Sequence, residues 1–188
     1  MLCRTIVLLS ILILTSCVTP PPRDVNNLCS IFRQYPAWRV DTVDAAKRWH
    51  IPVHVQMAIM HQESKFDARA TPPRTKLLWV IPWRRPSSAY GYAQALHATW
   101  HQYKRNRGVY WVARDDFSDA VDFIGWYVNQ AYMIAKIPRD DAYRLYFAYH
   151  EGIGGYQRRT YLRKPWLIQV ARKVRLRSQI YQHQLKTC

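Results

Sequence analysis

Glutamate is nearly missing from this chain. Glu63 and Glu151 are the only two among 188 residues, and 12 acids in all face 28 lysines and arginines, for a formal net charge of +16. Glycine is scarce too, with six. No Gly-rich phosphate loop and no Gly-x-Ser-x-Gly nucleophile elbow is present, which argues against nucleotide-dependent and serine-hydrolase chemistry. Strand-like alternation is rare, no internal repeat appears, and the single low-complexity stretch is a short proline run at 19–23. No apolar run reaches the roughly 20 residues that a spanning helix needs. The seven histidines include two i,i+4 pairs, 50/54 and 97/101, without the carboxylate or cysteine partners of a metal site. Neither a metal nor a cofactor is expected.

What is present at the N-terminus speaks of place. In "MLCRTIVLLSILILTSC", Arg4 precedes an apolar stretch from Ile6 to Leu14 broken only by Ser10. That is the form of an export signal, expected over residues 1–16. Leu14-Thr15-Ser16-Cys17 resembles the bacterial lipoprotein lipobox. The resemblance implies acylation of Cys17, a lipidated and proline-rich tether over 17–28, and a folded domain over 29–188. Val18, rather than aspartate, after Cys17 points by the same resemblance to the outer membrane more than the inner. A plain signal peptide or an uncleaved anchor is the alternative. An exported chain makes nucleic acid an improbable partner for the positive charge, and a polyanionic wall or a phospholipid surface fits better. Cys29 and Cys188 remain in the domain, either as free thiols or as a disulfide formed in an oxidising compartment.

Helical periodicity dominates the rest. Six helices are expected: one over 41–50, one opened by Pro52, one over 95–108 stopped by Gly108, one after a Ser118 cap, one over 140–152 and a long one after Pro165. Along the last, Leu167, Ala171, Val174, Ser178, Tyr181 and Leu185 form one stripe. The expected fold class is all-α, one domain, monomeric. The segment 71–88 holds four prolines and cannot be a regular helix. It reads as a loop that packs its aromatics on the domain, or as one that walls a groove or touches membrane.

Glu63 ends the helix opened by Pro52, four residues after Ile59, so it projects near the apolar flank. A carboxyl partly withdrawn from water has a raised pKa, which is what a general acid needs. Taken alone it could equally be a surface glutamate paired with Lys65 or His61.

Three short stretches bear on that choice: Glu63-Ser64, Gly91-Tyr92-Ala93-Gln94, and Ala148-Tyr149-His150-Glu151-Gly152. In this order they resemble the soluble lytic transglycosylase (SLT) domain of the lysozyme-like superfamily, over roughly residues 50–156. The resemblance implies a peptidoglycan substrate and a Glu63 that protonates the glycosidic oxygen between N-acetylmuramic acid and N-acetylglucosamine. The same carboxylate would then take a proton from the muramoyl 6-hydroxyl, leaving a 1,6-anhydro end. It also implies that Ser64 orients Glu63, that Gly91, Tyr92 and Gln94 hold sugar, and that Tyr149 sits beside the acid. Ordinary glycosidases need two carboxylates; a substrate that supplies its own hydroxyl needs one, which suits so few glutamates.

The sequence departs from the family pattern at three places. The Glu63–Gly91 gap is long, Ala93 stands where methionine is frequent, and His150 replaces asparagine. His150 could donate to substrate or titrate. Glu151 reads as a brace for the 152–155 turn or as a second acid. Asp67 reads as surface or hinge. Tyr90, Tyr92 and Tyr156 are candidate stacking faces, while Trp126 and Tyr127 read as core. The rival functions are a hydrolytic muramidase on the same fold and a non-catalytic, basic wall-binding protein.

Overall fold

Prolines and short polar side chains set where the helices begin. The computed structural model describes residues 19–74, 76–77, 81–82 and 87–188, with the side chains of 76–77 and 81–82 left aside. The proposed signal and Cys17 lie outside the described residues. Among those described, eight α-helices occur: α1 (Leu28–Gln34), α2 (Pro36–Trp49), α3 (Val53–Ser64), α4 (His97–Arg107), α5 (Phe117–Ala135), α6 (Ala142–Glu151), α7 (Ile153–Gln157) and α8 (Pro165–Gln184). The six longer ones are the helices expected from periodicity, so the fold is all-α. A 3-10 turn spans Thr160–Arg163, and two paired strands, β1 (Lys76–Leu77) and β2 (Ile81–Pro82), form a minimal hairpin inside the proline-rich loop. The aromatics of that loop, Trp79 and Trp83, lie outside the described residues, and with them the choice between packing and groove-walling.

Several boundaries shift by a few residues, and two of the shifts have a clear local cause. The second helix starts at Pro36 rather than Asp41, because proline at the first helical position needs no hydrogen-bond donor. The cap of α5 is Asp116, not Ser118: the Asp116 carboxylate accepts from the Asp119 amide at 3.0 Å, and Ser118 is already inside the first turn.

Buried core side chains run from Leu28 to Tyr181, so residues 19–188 carry the described core entire. Trp38 stacks on Phe117 at 4.0 Å between ring centroids, and Phe66 and Tyr92 close around it. Each such fully buried large side chain contributes about 1.5–3 kcal/mol. The stripe of α8 is buried as its period requires, at Leu167, Ala171, Val174, Ser178 and Tyr181. Helices α2, α4 and α5 are tied by Asp122, whose carboxylate accepts from Trp49 at 2.9 Å, Tyr103 at 2.8 Å and Arg107 at 3.1 Å, and also from Arg48. Burial opposes its ionisation, but these four donors hold its pKa below the usual carboxylate range.

A disulfide joins Cys29 at the start of α1 to Cys188 beyond α8. Around it the Gln184 side chain accepts from the Leu28 amide at 2.8 Å, and the Tyr181 hydroxyl donates to the Val25 carbonyl. The two ends of the domain are therefore one surface. No described helix is long and apolar enough to cross a membrane.

Candidate active site

Helix α3 ends abruptly, and the way it ends aims Glu63. Lys65 and Phe66 follow with φ of 52° and 65°, two consecutive non-glycine residues in the left-handed region. Each such residue costs roughly 1–2 kcal/mol. Two things hold them there. The Phe66 ring is fully buried beside Trp38, and the Ser64 hydroxyl accepts from the Phe66 amide at 3.1 Å while donating to the Met60 carbonyl at 3.3 Å. Ser64 thus acts on the backbone turn that carries Glu63.

Glu63 is mostly enclosed. Burial pushes its carboxyl up to about 7, and a hydrogen bond from the Tyr146 hydroxyl works against that rise. Near neutral pH such a group exists in both protonation states and can give or take a proton. Tyr146 and Tyr149 stand three residues apart on one face of α6. Burial, and after it the negative charge of Glu63, raise the pKa of both phenols well above normal, so they remain hydrogen-bond donors.

The second stretch is a tight turn bridged from Tyr90 to Ala95. Gly91 has φ of 77°, and a Cβ there would lie 2.0 Å from the Arg114 carbonyl oxygen, so only glycine fits. Gln94, at φ of 47°, donates its side-chain amide to the carbonyls of Ala70 at 2.8 Å and Gly91 at 2.9 Å. The turn is thereby sewn to the segment after α3. The Tyr149 hydroxyl donates to the Ala93 carbonyl at 2.6 Å, which joins the third stretch to the second. All three stretches converge.

A cleft of about 220 Å³ opens beside them, lined among others by Gln94, Leu96, Tyr127, Tyr149, His150 and Glu151. Glu63 is not in that lining; Tyr149, which lines the cleft and feels the Glu63 charge, links the two. Tyr127 is a cleft residue rather than core: its hydroxyl donates to the Ala148 carbonyl at 2.8 Å and its ring meets Tyr149 edge-on at 5.2 Å. Trp126 is core, as read from its mid-helix position.

One expected binding residue does not face the cleft. Tyr92 is 1% exposed, with its ring edge-on to Trp38 and Phe117. The alternation around the Gly91 turn sends it into the core, so it offers no surface to a sugar. Tyr90 donates to Asp115 at 3.0 Å, and Tyr156 stacks near Tyr161. Asp67 accepts from the Arg69 amide at 2.9 Å and shapes a turn.

Glu151 is a brace. Its carboxylate accepts from Lys164 at 2.7 Å and Thr160 at 2.5 Å and lies 2.9 Å from His150 Nδ1. Although burial opposes ionisation, Lys164, Thr160 and His150 hold its carboxyl down to about 2. It is ionised throughout the working range and cannot serve as an acid. His150 is positioned between this carboxylate and the Trp166 ring, 5.1 Å away.

Sequence reasoning missed Tyr146, although its i,i+3 relation to Tyr149 was a usable signal. Asp122 offered none, since a lone acid in an apolar helix reads as a surface residue. Among the described residues no group of three or more His, Cys, Asp or Glu side chains converges to hold a metal ion. The family model described as "Transglycosylase SLT domain" matches residues 5–188. No curated protein matches the chain.

Proposed function

The chain belongs to the transglycosylase SLT-domain family, and from that premise we propose that it is a lytic transglycosylase with Glu63 as its single acid and base. Membership supports action on peptidoglycan in general; the bond chemistry is the reading that the site favours. Protonated Glu63 gives its proton to the glycosidic oxygen between N-acetylmuramic acid and N-acetylglucosamine. The C1–O bond breaks, and the N-acetylglucosamine side leaves as an alcohol. The muramoyl 6-hydroxyl then bonds to C1 while Glu63 carboxylate takes its proton, so the acid is restored and no water is consumed. Tyr146 keeps Glu63 oriented by donation, Tyr149 stands beside it with its own hydroxyl given to Ala93, and Ser64 holds the turn that carries it. Gln94, the Gly91 turn and His150 border the cleft where sugar would lie.

The observation that carries this reading is the contrast between the two glutamates. Glu63 is pushed up to about 7, while Glu151, the carboxylate lining the cleft, is held down to about 2 by fixed donors. A two-carboxylate hydrolase needs an ionised second carboxylate with an oxygen free to attack C1 or to take a proton from water, and both oxygens of Glu151 are occupied by Lys164, His150 and Thr160.

The test is digestion of purified peptidoglycan by residues 19–188 and by Glu63→Gln, with products read by mass spectrometry. Anhydro-muropeptides from the wild-type sequence alone are expected. Reducing-end products would replace the reading with a muramidase. Wall binding without products from either protein would leave a binding function.

We also propose attachment to the periplasmic face of an envelope membrane, the outer one in preference, through acylated Cys17. Its place after a short apolar stretch supports this. Palmitate labelling that persists in Cys17→Ala would sink it.

A further inference from the structure

We propose that the outer face of α8 is a docking surface for anionic phospholipid, independent of any acyl anchor and of Glu63. From Gly152 to Cys188 the chain has nine lysines and arginines and no acid. On α8, Arg172, Lys173 and Arg175 are exposed, and neither they nor Arg177 makes an ion pair among the described residues. Positive charge alone would suit any polyanion. The apolar side chains between the cations narrow the choice. Trp166, Leu176 and Ile180 are 53%, 57% and 37% exposed, and Leu162 just before the helix is 57% exposed.

At 100° per residue, Trp166, Lys173, Leu176 and Ile180 fall on one flank of the helix, away from the buried stripe at Leu167, Ala171, Val174, Ser178 and Tyr181. Helix α8 therefore has two apolar faces, one used by the core and one presented outward. Basic residues flanking an outward Trp/Leu/Ile stripe are the pattern of a helix lying in a headgroup layer. A soluble or wall polyanion gives leucine and isoleucine nothing to bury against.

A cleft of about 210 Å³ between α3 and α8 adds a seat for a headgroup. Lys173 and Arg177 stand at it with Leu176 and Ile180, and His61, whose buried Nε2 has no hydrogen-bond partner, lines it. A phosphate there would meet two cations, Lys173 and Arg177. Burial and the nearby Arg177 and Lys65 hold His61 down to about 4, so the ring is neutral. The adjoining Leu176 and Ile180 would enter the acyl boundary.

The test is flotation of residues 19–188 with vesicles of phosphatidylcholine alone or mixed with phosphatidylglycerol. Binding only to the anionic vesicles is expected. Arg172→Gln with Lys173→Gln should weaken it roughly 25-fold, since each cation near an anionic surface is worth about a fivefold change. Leu176→Ser with Ile180→Ser should also release the protein from vesicles while leaving its attraction to soluble polyphosphate unchanged. Trp166, which meets His150 at the cleft, is left in place and reports burial by a blue-shifted emission. Equal affinity for neutral and anionic vesicles would overturn the proposal. So would vesicle binding that survives the two serine substitutions and is abolished by polyphosphate, which would make α8 a polyanion site. Circular dichroism of each variant separates loss of binding from loss of fold, and loss by variants that keep native helicity supports it.

Discussion

Replacing Glu63 by glutamine should make the protein more stable and nearly inactive, and the gain should depend on pH in a defined way. The carboxyl is pushed by burial from an ordinary 4.5 up to about 7 in the fold. Between those values the folded state holds more protons than the unfolded one, so stability falls as pH rises through the interval. At about 1.36 kcal/mol per pKa unit, ionised Glu63 costs the fold on the order of 3 kcal/mol above pH 7 and nothing below pH 4. Glutamine has the same shape, still accepts from Tyr146, and never ionises. At pH 8 the variant should therefore melt roughly 6–12 °C above the parent, since 1 kcal/mol shifts a domain of this size by about 2–4 °C. At pH 4 the two curves should coincide. Turnover should drop by roughly 10²–10⁴-fold, the usual worth of a general acid. The assay is urea or thermal unfolding of both proteins at pH 4, 6 and 8. A stability difference that does not change across that range would mean that Glu63 is solvated, and the catalytic assignment would lose its physical basis.

Three other outcomes are expected. Tyr146→Phe removes the hydrogen bond that works against the rise in the Glu63 pKa; the alkaline limb of the pH–rate profile should move upward, whereas a purely structural role would lower rate without moving the limb. Gly91→Ala places a methyl 2.0 Å from the Arg114 carbonyl oxygen in a left-handed backbone, and should cost about 3 kcal/mol or more, read as a lower urea midpoint. Cys188→Ala opens a loop of sequence separation 159, and should lower stability by about 2–5 kcal/mol in oxidising buffer with no effect once both proteins are reduced.

The helices were legible because their signals are local. The α8 stripe repeats every three or four residues, and proline opens both α2 and α8. Convergence of the three short stretches was legible only as an ordered resemblance. The bonds that make it real, Gln94 to Ala70 and Tyr149 to Ala93, span 24 and 56 residues and leave no periodic trace. Direction of side chains at turns was not legible at all. Tyr92 sits between two residues of positive φ, Gly91 and Gln94, and which way its ring points depends on backbone angles that composition does not encode. For Glu151, the alternatives of brace and acid separated only when Lys164, thirteen residues away, was found against it. The short α7 escaped notice because Gly154 and Gly155 inside it oppose helix by propensity.

The bridge between Cys29 and Cys188 also determines how the domain bears mechanical load. Handles attached before Cys29 and after Cys188 pull on two sulfur atoms rather than on the helices between them. Tension applied at the two ends of the domain would pass along that covalent shortcut and leave the cleft slack. Only on reduction does the chain between the cysteines, with its sequence separation of 159, become extensible, by roughly 500 Å when drawn out. In an oxidising compartment the domain behaves as a closed link; under reducing conditions it becomes a spring.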